Sequence, residues 1–304
     1  MNFTIAIPTY NNEDTIEDAI NSAINQSYEG DYEVLVVNNN SSDKTLETVN
    51  GYVNERIRVV SNSSTCTLFE NHNVCLRKAR GDYIIFCHSD DKLDCQALSI
   101  LERKIKVRGY PKKYIAWGHS LFRDFSSSLD NSSLERGKIF AGIVAVRPFI
   151  NSGLTPSGTC YSKSFIDIGG FLHTNYHLTP SDSSSMIWAA LNGFRFEMLD
   201  EMLFYRIDAS TATRAQKPKN TFEPFIDAWT QLVNVTNTNQ NLDLIQQTRH
   251  LKHMNPILYL FMADKYPRLV LKEILISFLK EPLIARRSIF WKAFWKAVQC
   301  CIKT

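Results

Sequence analysis

No run in this chain approaches the ~18 consecutive apolar residues that cross a bilayer, so a membrane-spanning segment is not expected. Cysteine shows no pairing pattern: seven residues, at 66, 75, 87, 95, 160, 300 and 301, contain no CxxC. An odd, scattered set argues against a disulfide framework or a zinc site, and for a reducing compartment. The opening residues pass directly into "FTIAIPTY", without a basic stretch followed by a long apolar one. No secretory leader is therefore expected, and the expected location is the cytoplasm. Net charge is small, +3, but unevenly placed. Residues 265–304 hold nine Lys/Arg against two Glu, or +7, which leaves −4 for residues 1–264. The main body lacks the basic surface that nucleic acid requires, and no nucleic-acid partner is expected.

What is present, first, is alternation. Apolar runs at 3–7, 33–37, 56–60, 83–87 and 114–117 read as strands, and helical spacing separates them at 15–24, 69–79 and 100–107. Strands alternating with helices predict an α/β fold with a mostly parallel, doubly wound sheet. Ligands of such sheets sit beyond the carboxyl ends of the strands. Three polar clusters fall at those ends: Pro8-Thr9-Tyr10-Asn11, Asn38-Asn39-Asn40-Ser41 and His88-Ser89-Asp90-Asp91. Further on, a helix is expected over 162–168, closed by Gly169-Gly170, and another over 180–191. Strands are expected at 194–198 and 202–207, and a polar linker at 213–220. Residues 120–160 carry little pattern beyond a Ser-rich loop at 125–133. From 221 onward the spacing is helical; the apolar run at 256–263 is too short to span and reads as core.

The most hydrophobic strand ends in "IIFCHSDDKL", two adjacent carboxylates beside an imidazole. Like charges side by side repel, so a bound cation or a solvated turn must relieve them. The surrounding order resolves the choice by resemblance. "IAIPTYNNEDTIEDAINSAINQSY", "YEVLVVNNNSSDKT", "NVCLRKARGDYIIFCHSDD", "IGGF" at 168–171 and "SDSSSMIWAALNG" at 181–193 together resemble the family 2 glycosyltransferases of the GT-A, Rossmann-like fold. The resemblance covers roughly residues 3–210. It implies an inverting hexosyl- or N-acetylhexosaminyl-transferase that uses a nucleotide-sugar, most simply a UDP-sugar.

What the resemblance implies can be assigned residue by residue. Pro8, Tyr10, Asn11, Asn38, Asn39, Asn73, His88 and Ser89 fall on donor-binding positions. Asp90 falls on the metal-ligating position, which implies Mg²⁺ or Mn²⁺ bridging the diphosphate. Asp182 matches the general base by its spacing to Gly193, and reads alternatively as a helix cap. Asp91, Arg206 and Asp208 are candidates for further roles. Two departures stand out. The first Asp of the family's Asp-x-Asp is His88 here, and the usual Asp-Asp of the second loop is Asn38-Asn39. Asp43 reads as a helix cap, Asn73 and His72 as either structural or donor-binding, and Asn38–Ser41 alternatively as an Asx-type turn. The histidines at 119, 173, 177, 250 and 253 show no ligand spacing.

The tail carries a separate signal. "SIFWKAFWKAV" at 288–298 sets aromatic residues along one broad side and Lys292 and Lys296 near the other, as an interfacial helix on anionic lipid would. The expected organisation is a catalytic region at 1–215, split into a nucleotide-sugar half (1–117) and an acceptor half (118–215). A helical, basic region at 216–304 follows. With a membrane-facing tail, the expected acceptor is a lipid-linked saccharide, as in O-antigen or polysaccharide assembly at the inner face of the membrane. Rival readings are a transferase using a dTDP- or GDP-sugar, and a catalytically weak sugar-nucleotide-binding scaffold.

Overall fold

The structure, a computed structural model, describes residues 2–120, 135–151, 153–172, 181–206, 267–280 and 288–303. The Ser-rich stretch at 125–133, the linker at 213–220, the run at 256–263 and Asp208 lie outside the described residues. The chain divides into two compact units, Met1–Ala215 and Gln216–Thr304.

In the first unit, β1 (Phe3–Thr9), β2 (Tyr32–Asn38), β3 (Ile57–Ser61) and β4 (Tyr83–Phe86) form a parallel half-sheet ordered β3-β2-β1-β4. The crossovers are α1 (Ile16–Ile24), α2 (Thr45–Asn50) and α3 (Leu68–Lys78). Parallel strands covered on both faces read as continuous apolar runs, and β1 and all but one residue of β2 are buried. Helix α1 turns Ile16, Ala19, Ile20 and Ala23 onto this sheet, the i, i+3, i+4, i+7 stripe visible in the sequence. Helix α3 starts at Thr67, whose hydroxyl oxygen accepts from the Glu70 N–H, and ends on Arg77 and Lys78 at its carbonyl pole.

Beyond β4 the sheet becomes mixed. The elements are β5 (Asp91–Leu93), α4 (Ala97–Val107), β6 (Tyr114–Ser120), β7 (Ile139–Ala141), α5 (Gly142–Asn151), β8 (Thr159–Ser162), α6 (Ser181–Leu191) and β9 (Arg195–Arg206). Strand β8 inserts antiparallel between β4 and β6, and β9 runs parallel to β6 but antiparallel to β5 and β7. The helix expected at 162–168 is a 3₁₀ segment, Lys163–Ile168, directly after β8. The two strands expected at 194–198 and 202–207 are one. Met198 faces Trp117 while Met202 faces His119, so β9 bulges between them and carries the polar Asp200-Glu201 without breaking.

In the second unit, α7 (Pro267–Lys280) and α8 (Ser288–Lys303) pack together. The seam is Ile274 against Phe290, Ala293 and Ala297, with the Phe278 and Phe290 rings 6.4 Å apart. Of the broad aromatic side expected from the sequence, Phe290 is buried. Trp291 and Trp295 remain 43% and 58% exposed, outside the seam. Among the described residues no helix is long and apolar enough to cross a membrane.

Candidate active site

The three polar clusters meet at the carboxyl edge of the parallel half-sheet. Thr9 lies level with Asn38, and Asn38 with Ser61. Strand β4 pairs up to Ala6, and Cys87 N–H still donates to the Ala6 carbonyl at 2.9 Å, so the His88 loop opens beside Pro8. Two asparagines, Asn11 (φ 52°) and Asn40 (φ 59°), turn the chain in the left-handed region that Asn tolerates better than most side chains. Side chains then lock the loops to each other. Asn11 N–H donates to Ser41 Oγ (3.0 Å), and Ser42 N–H donates to Asn11 Oδ1 (2.9 Å). Ser89 Oγ donates to Asn12 Oδ1 (2.7 Å), tying the His88 loop to the first. Asp43 accepts from the N–H groups of Thr45 and Glu13. Burial raises its pKa, but the hydrogen bonds from Thr45 and Glu13 outweigh this and hold it below its ordinary value. It does not cap α2 as expected: the N-cap is Lys44, and Asp43, one residue earlier, takes the N–H of the first helical residue, Thr45, and ties the loop to Glu13.

Asn38, Asn39 and Asn73 are all buried, and their amides are engaged within the fold. Asn38 Oδ1 accepts from Ser41 N–H and its Nδ2 donates to Ser61 Oγ. Asn39 Oδ1 accepts from Cys66 N–H (2.9 Å) and from Asn62 Nδ2 (3.0 Å), while its Nδ2 donates to the Cys66 carbonyl. Asn73 bridges to Phe171, giving Nδ2 to its carbonyl and taking its N–H, each at 2.8 Å. These amides tie together the loops at this sheet edge. Tyr10 stands exposed at its mouth.

The His88 loop is a tight turn in which Asp91 N–H donates to the His88 carbonyl at 3.0 Å, bringing residues 88 and 91 side by side. His88 Nδ1 lies 4.0 Å from Asp91 Oδ2, and His88, Asp90 and Asp91 each offer a ligand atom within 4.8 Å of the others. One imidazole nitrogen and two carboxylates suit a divalent cation such as Mn²⁺, so the donor set fits the metal that the resemblance implies. Asp91 is fully buried, and β5 pairs it in register with Arg206 of β9. Behind this turn, His72 Nε2 is 2.9 Å from His88 Nε2, and burial lowers the His72 pKa to about 3.

Asp182 occupies the first turn of α6, where its Oδ1 accepts from Ser183 N–H at 3.0 Å. Burial pushes its carboxyl up to about 6, against the partial opposition of backbone N–H groups. The carboxylate lies on Gly153: a Cβ there would meet Asp182 Oδ2 at 1.8 Å. Four residues along, Ser157 Oγ accepts from His88 N–H at 3.1 Å. A span of four residues reaches at most about 14 Å, so one short loop joins the candidate base to the candidate metal turn.

A family model described as "Glycosyl transferase family 2" matches residues 4–110, which run from β1 through α4 and contain all three loops. Residues 4–110 of this chain thus carry the glycosyltransferase family 2 pattern. The Staphylococcus aureus poly(ribitol-phosphate) beta-N-acetylglucosaminyltransferase TarS is 35% identical over 101 residues, 32% of this chain and 18% of TarS. The Escherichia coli UDP-Glc:alpha-D-GlcNAc-diphosphoundecaprenol beta-1,3-glucosyltransferase WfgD is 34% identical over 107 residues, 34% of this chain and 42% of WfgD. The match therefore spans less than half of either relative. Solved structures extend the likeness along the chain. TarS 1–349 in complex with UDP-GlcNAc superposes with a TM-score of 0.66 at 18% identity, covering 100% of this chain and 92% of that one. The Pyrobaculum calidifontis mannosyltransferase PcManGT in complex with GDP-Man and Mn²⁺ gives 0.58 at 16% identity, covering 99% and 87%. At those identities the likeness is one of fold, GT-A.

Three residues of this candidate site escaped the sequence reading or were left open by it. His72 was left open between a structural and a donor-binding role, and nothing in the sequence placed it against His88. Gly153 and Ser157 lie in "GLTPSG", whose Gly and Pro punctuation marks a turn but nothing about its neighbours.

Proposed function

We propose that this family 2 glycosyltransferase moves a sugar, with inversion, from a UDP-sugar to a hydroxyl of a saccharide carried on lipid. The observation that carries the reading is Asp182: a carboxyl raised to about 6, seated on Gly153 in the loop whose Ser157 holds the His88 turn. A general base works best with a pKa near the operating pH, and burial has moved this one most of the way there. In the reaction the acceptor oxygen bonds to the anomeric carbon while the bond from that carbon to the β-phosphate oxygen breaks. The electron pair leaves with the nucleoside diphosphate, and the acceptor proton passes to Asp182. The loops at 8–11 and 38–41 bind and orient the donor, and Tyr10 at the mouth covers it. Asp90 is the first ligand for Mg²⁺ or Mn²⁺, which when bound supplies positive charge against the departing diphosphate.

TarS solved with UDP-GlcNAc and WfgD named for UDP-Glc favour a UDP-sugar as donor. The engaged amide of Asn39 supports a second reading, a GDP- or dTDP-sugar, because the base must then be read by other groups. WfgD's diphosphoundecaprenol-linked acceptor and the exposed tryptophans of α8 favour an acceptor in the membrane, reached from its cytoplasmic face. The test is nucleoside diphosphate release from a panel of UDP-, GDP- and dTDP-sugars, with a polyprenyl-diphosphate-linked N-acetylhexosamine as acceptor. Acceptor-dependent release with a UDP-sugar is expected; no release from any donor would leave a binding scaffold as the function.

A further inference from the structure

The donor set at the end of β4 contains an imidazole, and an imidazole can bind a cation only through a nitrogen that carries no proton. Which nitrogen of His88 meets that condition is decided one layer deeper, by His72. His72 is buried in α3 among the rings of Phe69, Phe86 and Phe171, whose centroids lie 5.5, 5.0 and 5.6 Å away. Its Nδ1 sits 2.8 Å from the Leu68 carbonyl. A carbonyl oxygen only accepts, so the His72 proton is on Nδ1, and in that apolar cage the ring is neutral. Nε2 of His72 is then a bare acceptor, 2.9 Å from His88 Nε2. Two bare nitrogens at that separation would repel, so His88 Nε2 carries the proton and donates it. With its proton held there, neutral His88 presents the lone pair of Nδ1, the atom 4.0 Å from Asp91 Oδ2.

We propose that His72 is a positioning residue that fixes the tautomer of His88, making His88 Nδ1 a metal ligand beside Asp90 and Asp91. This rests on the cation reading above and goes beyond it in naming a nitrogen ligand and the buried residue that sets it. The chain Leu68 carbonyl, His72, His88 is the arrangement by which a ligating imidazole is oriented through its other nitrogen. It also explains how the turn works without a carboxylate at position 88. A nitrogen in place of an oxygen shifts preference from Mg²⁺ toward Mn²⁺ and Co²⁺, which take imidazole more readily.

The test uses the full chain with Mn²⁺ alone, without donor or acceptor, so its result is independent of whether the transferase reading holds. Pulsed electron paramagnetic resonance of bound Mn²⁺ should show coupling to a histidine nitrogen. His88→Asp should still bind Mn²⁺ but lose that coupling and gain relative affinity for Mg²⁺. His72→Phe, which fills the same aromatic cage, should weaken Mn²⁺ binding about 10–100-fold, the usual cost of removing an outer-shell partner. His72→Gln, whose amide oxygen can take the same proton, should recover most of the loss. Long-range ¹H–¹⁵N spectra of histidine-labelled wild type should report His72 protonated on Nδ1 and His88 on Nε2, which decides the matter even if His72→Phe fails to fold. Wild-type Mn²⁺ without nitrogen coupling, or His72→Phe binding Mn²⁺ as tightly as wild type, would overturn the proposal.

Discussion

At the scale of single residues, Asp182 decides between two roles. Its carboxyl is raised to about 6 by burial, so the folded chain favours the protonated form. That contribution to stability is fully present below the ordinary carboxyl range and is lost as pH rises through about 6. Catalysis has the opposite sign, because a general base must be deprotonated. kcat/KM should therefore climb with pH, bend near 6 and level off above it. Asp182→Asn should abolish that bend and lower transfer by ~10²–10⁴-fold with donor affinity unchanged. A mere helix cap behaves otherwise: Asn caps about as well as Asp, and turnover would stay near normal. Gly153 offers a second handle on the same carboxylate. In Gly153→Ala the added methyl would stand 1.8 Å from Asp182 Oδ2, so the carboxylate must move. A displacement of that order costs about 10²-fold in rate, and calorimetry with UDP should find binding intact. Normal turnover in Gly153→Ala would mean that the position of this carboxylate is irrelevant to the chemistry.

At the scale of elements, α3 is the piece on which the site hangs. Its His72 faces the His88 turn, and its Asn73 clamps Phe171, at the end of the Gly169-Gly170 bend, through both backbone groups. Gly170 (φ 66°) is needed there, since a Cβ would come within 2.4 Å of Asn73 Oδ1. Asn73→Ala strands a buried N–H and a buried carbonyl, each costing ~1–3 kcal/mol, so a loss of about 2–6 kcal/mol is expected in urea unfolding. UDP affinity should be nearly unchanged where the fold persists. Unchanged stability with weakened UDP binding would instead make Asn73 a donor ligand. Elements also mark what was legible. Helix α1 and strands β1, β2 and β4 announce themselves because covered parallel strands and amphipathic helices carry their burial in their periodicity. Strands β5 and β7 are three residues each, too short for any period to register. Strand β8 and the Gly153–Gly158 loop are held by partners distant in sequence, and pairing across such separations leaves no local trace. The site divides the same way. Asp90 and Asp182 stand out by chemistry and spacing, whereas Gly153 matters through the space it leaves and His72 through the neighbour it faces.

At the scale of the whole molecule, net charge is uneven along the chain: residues 1–264 sum to −4 and residues 265–304 to +7, and the exposed tryptophans of α8 lie in that basic stretch. Because Phe290, Ala293 and Ala297 of α8 are committed to the seam with α7, removing the helix would expose α7 and confuse misfolding with lost binding. Substitution of the outer face is the cleaner experiment. Trp291 and Trp295 supply the amphipathic rings favoured at the lipid interface, and exposed Lys292 lies between them in sequence. Each basic residue near an anionic surface adds ~1 kcal/mol, so Lys292→Glu should weaken vesicle binding by one to two orders of magnitude, roughly twice that term for a reversed charge. Combined with Trp291→Ser and Trp295→Ser it should abolish co-sedimentation. Wild type should pellet with phosphatidylglycerol vesicles and much less with phosphatidylcholine, and raised salt should release it. The triple variant should stay in the supernatant, keep its donor hydrolysis, and lose transfer to an acceptor embedded in the same vesicles while retaining transfer to a short-chain, water-soluble one. If the triple variant pellets like wild type, α8 is not the membrane contact, and the basic charge of the tail serves another surface.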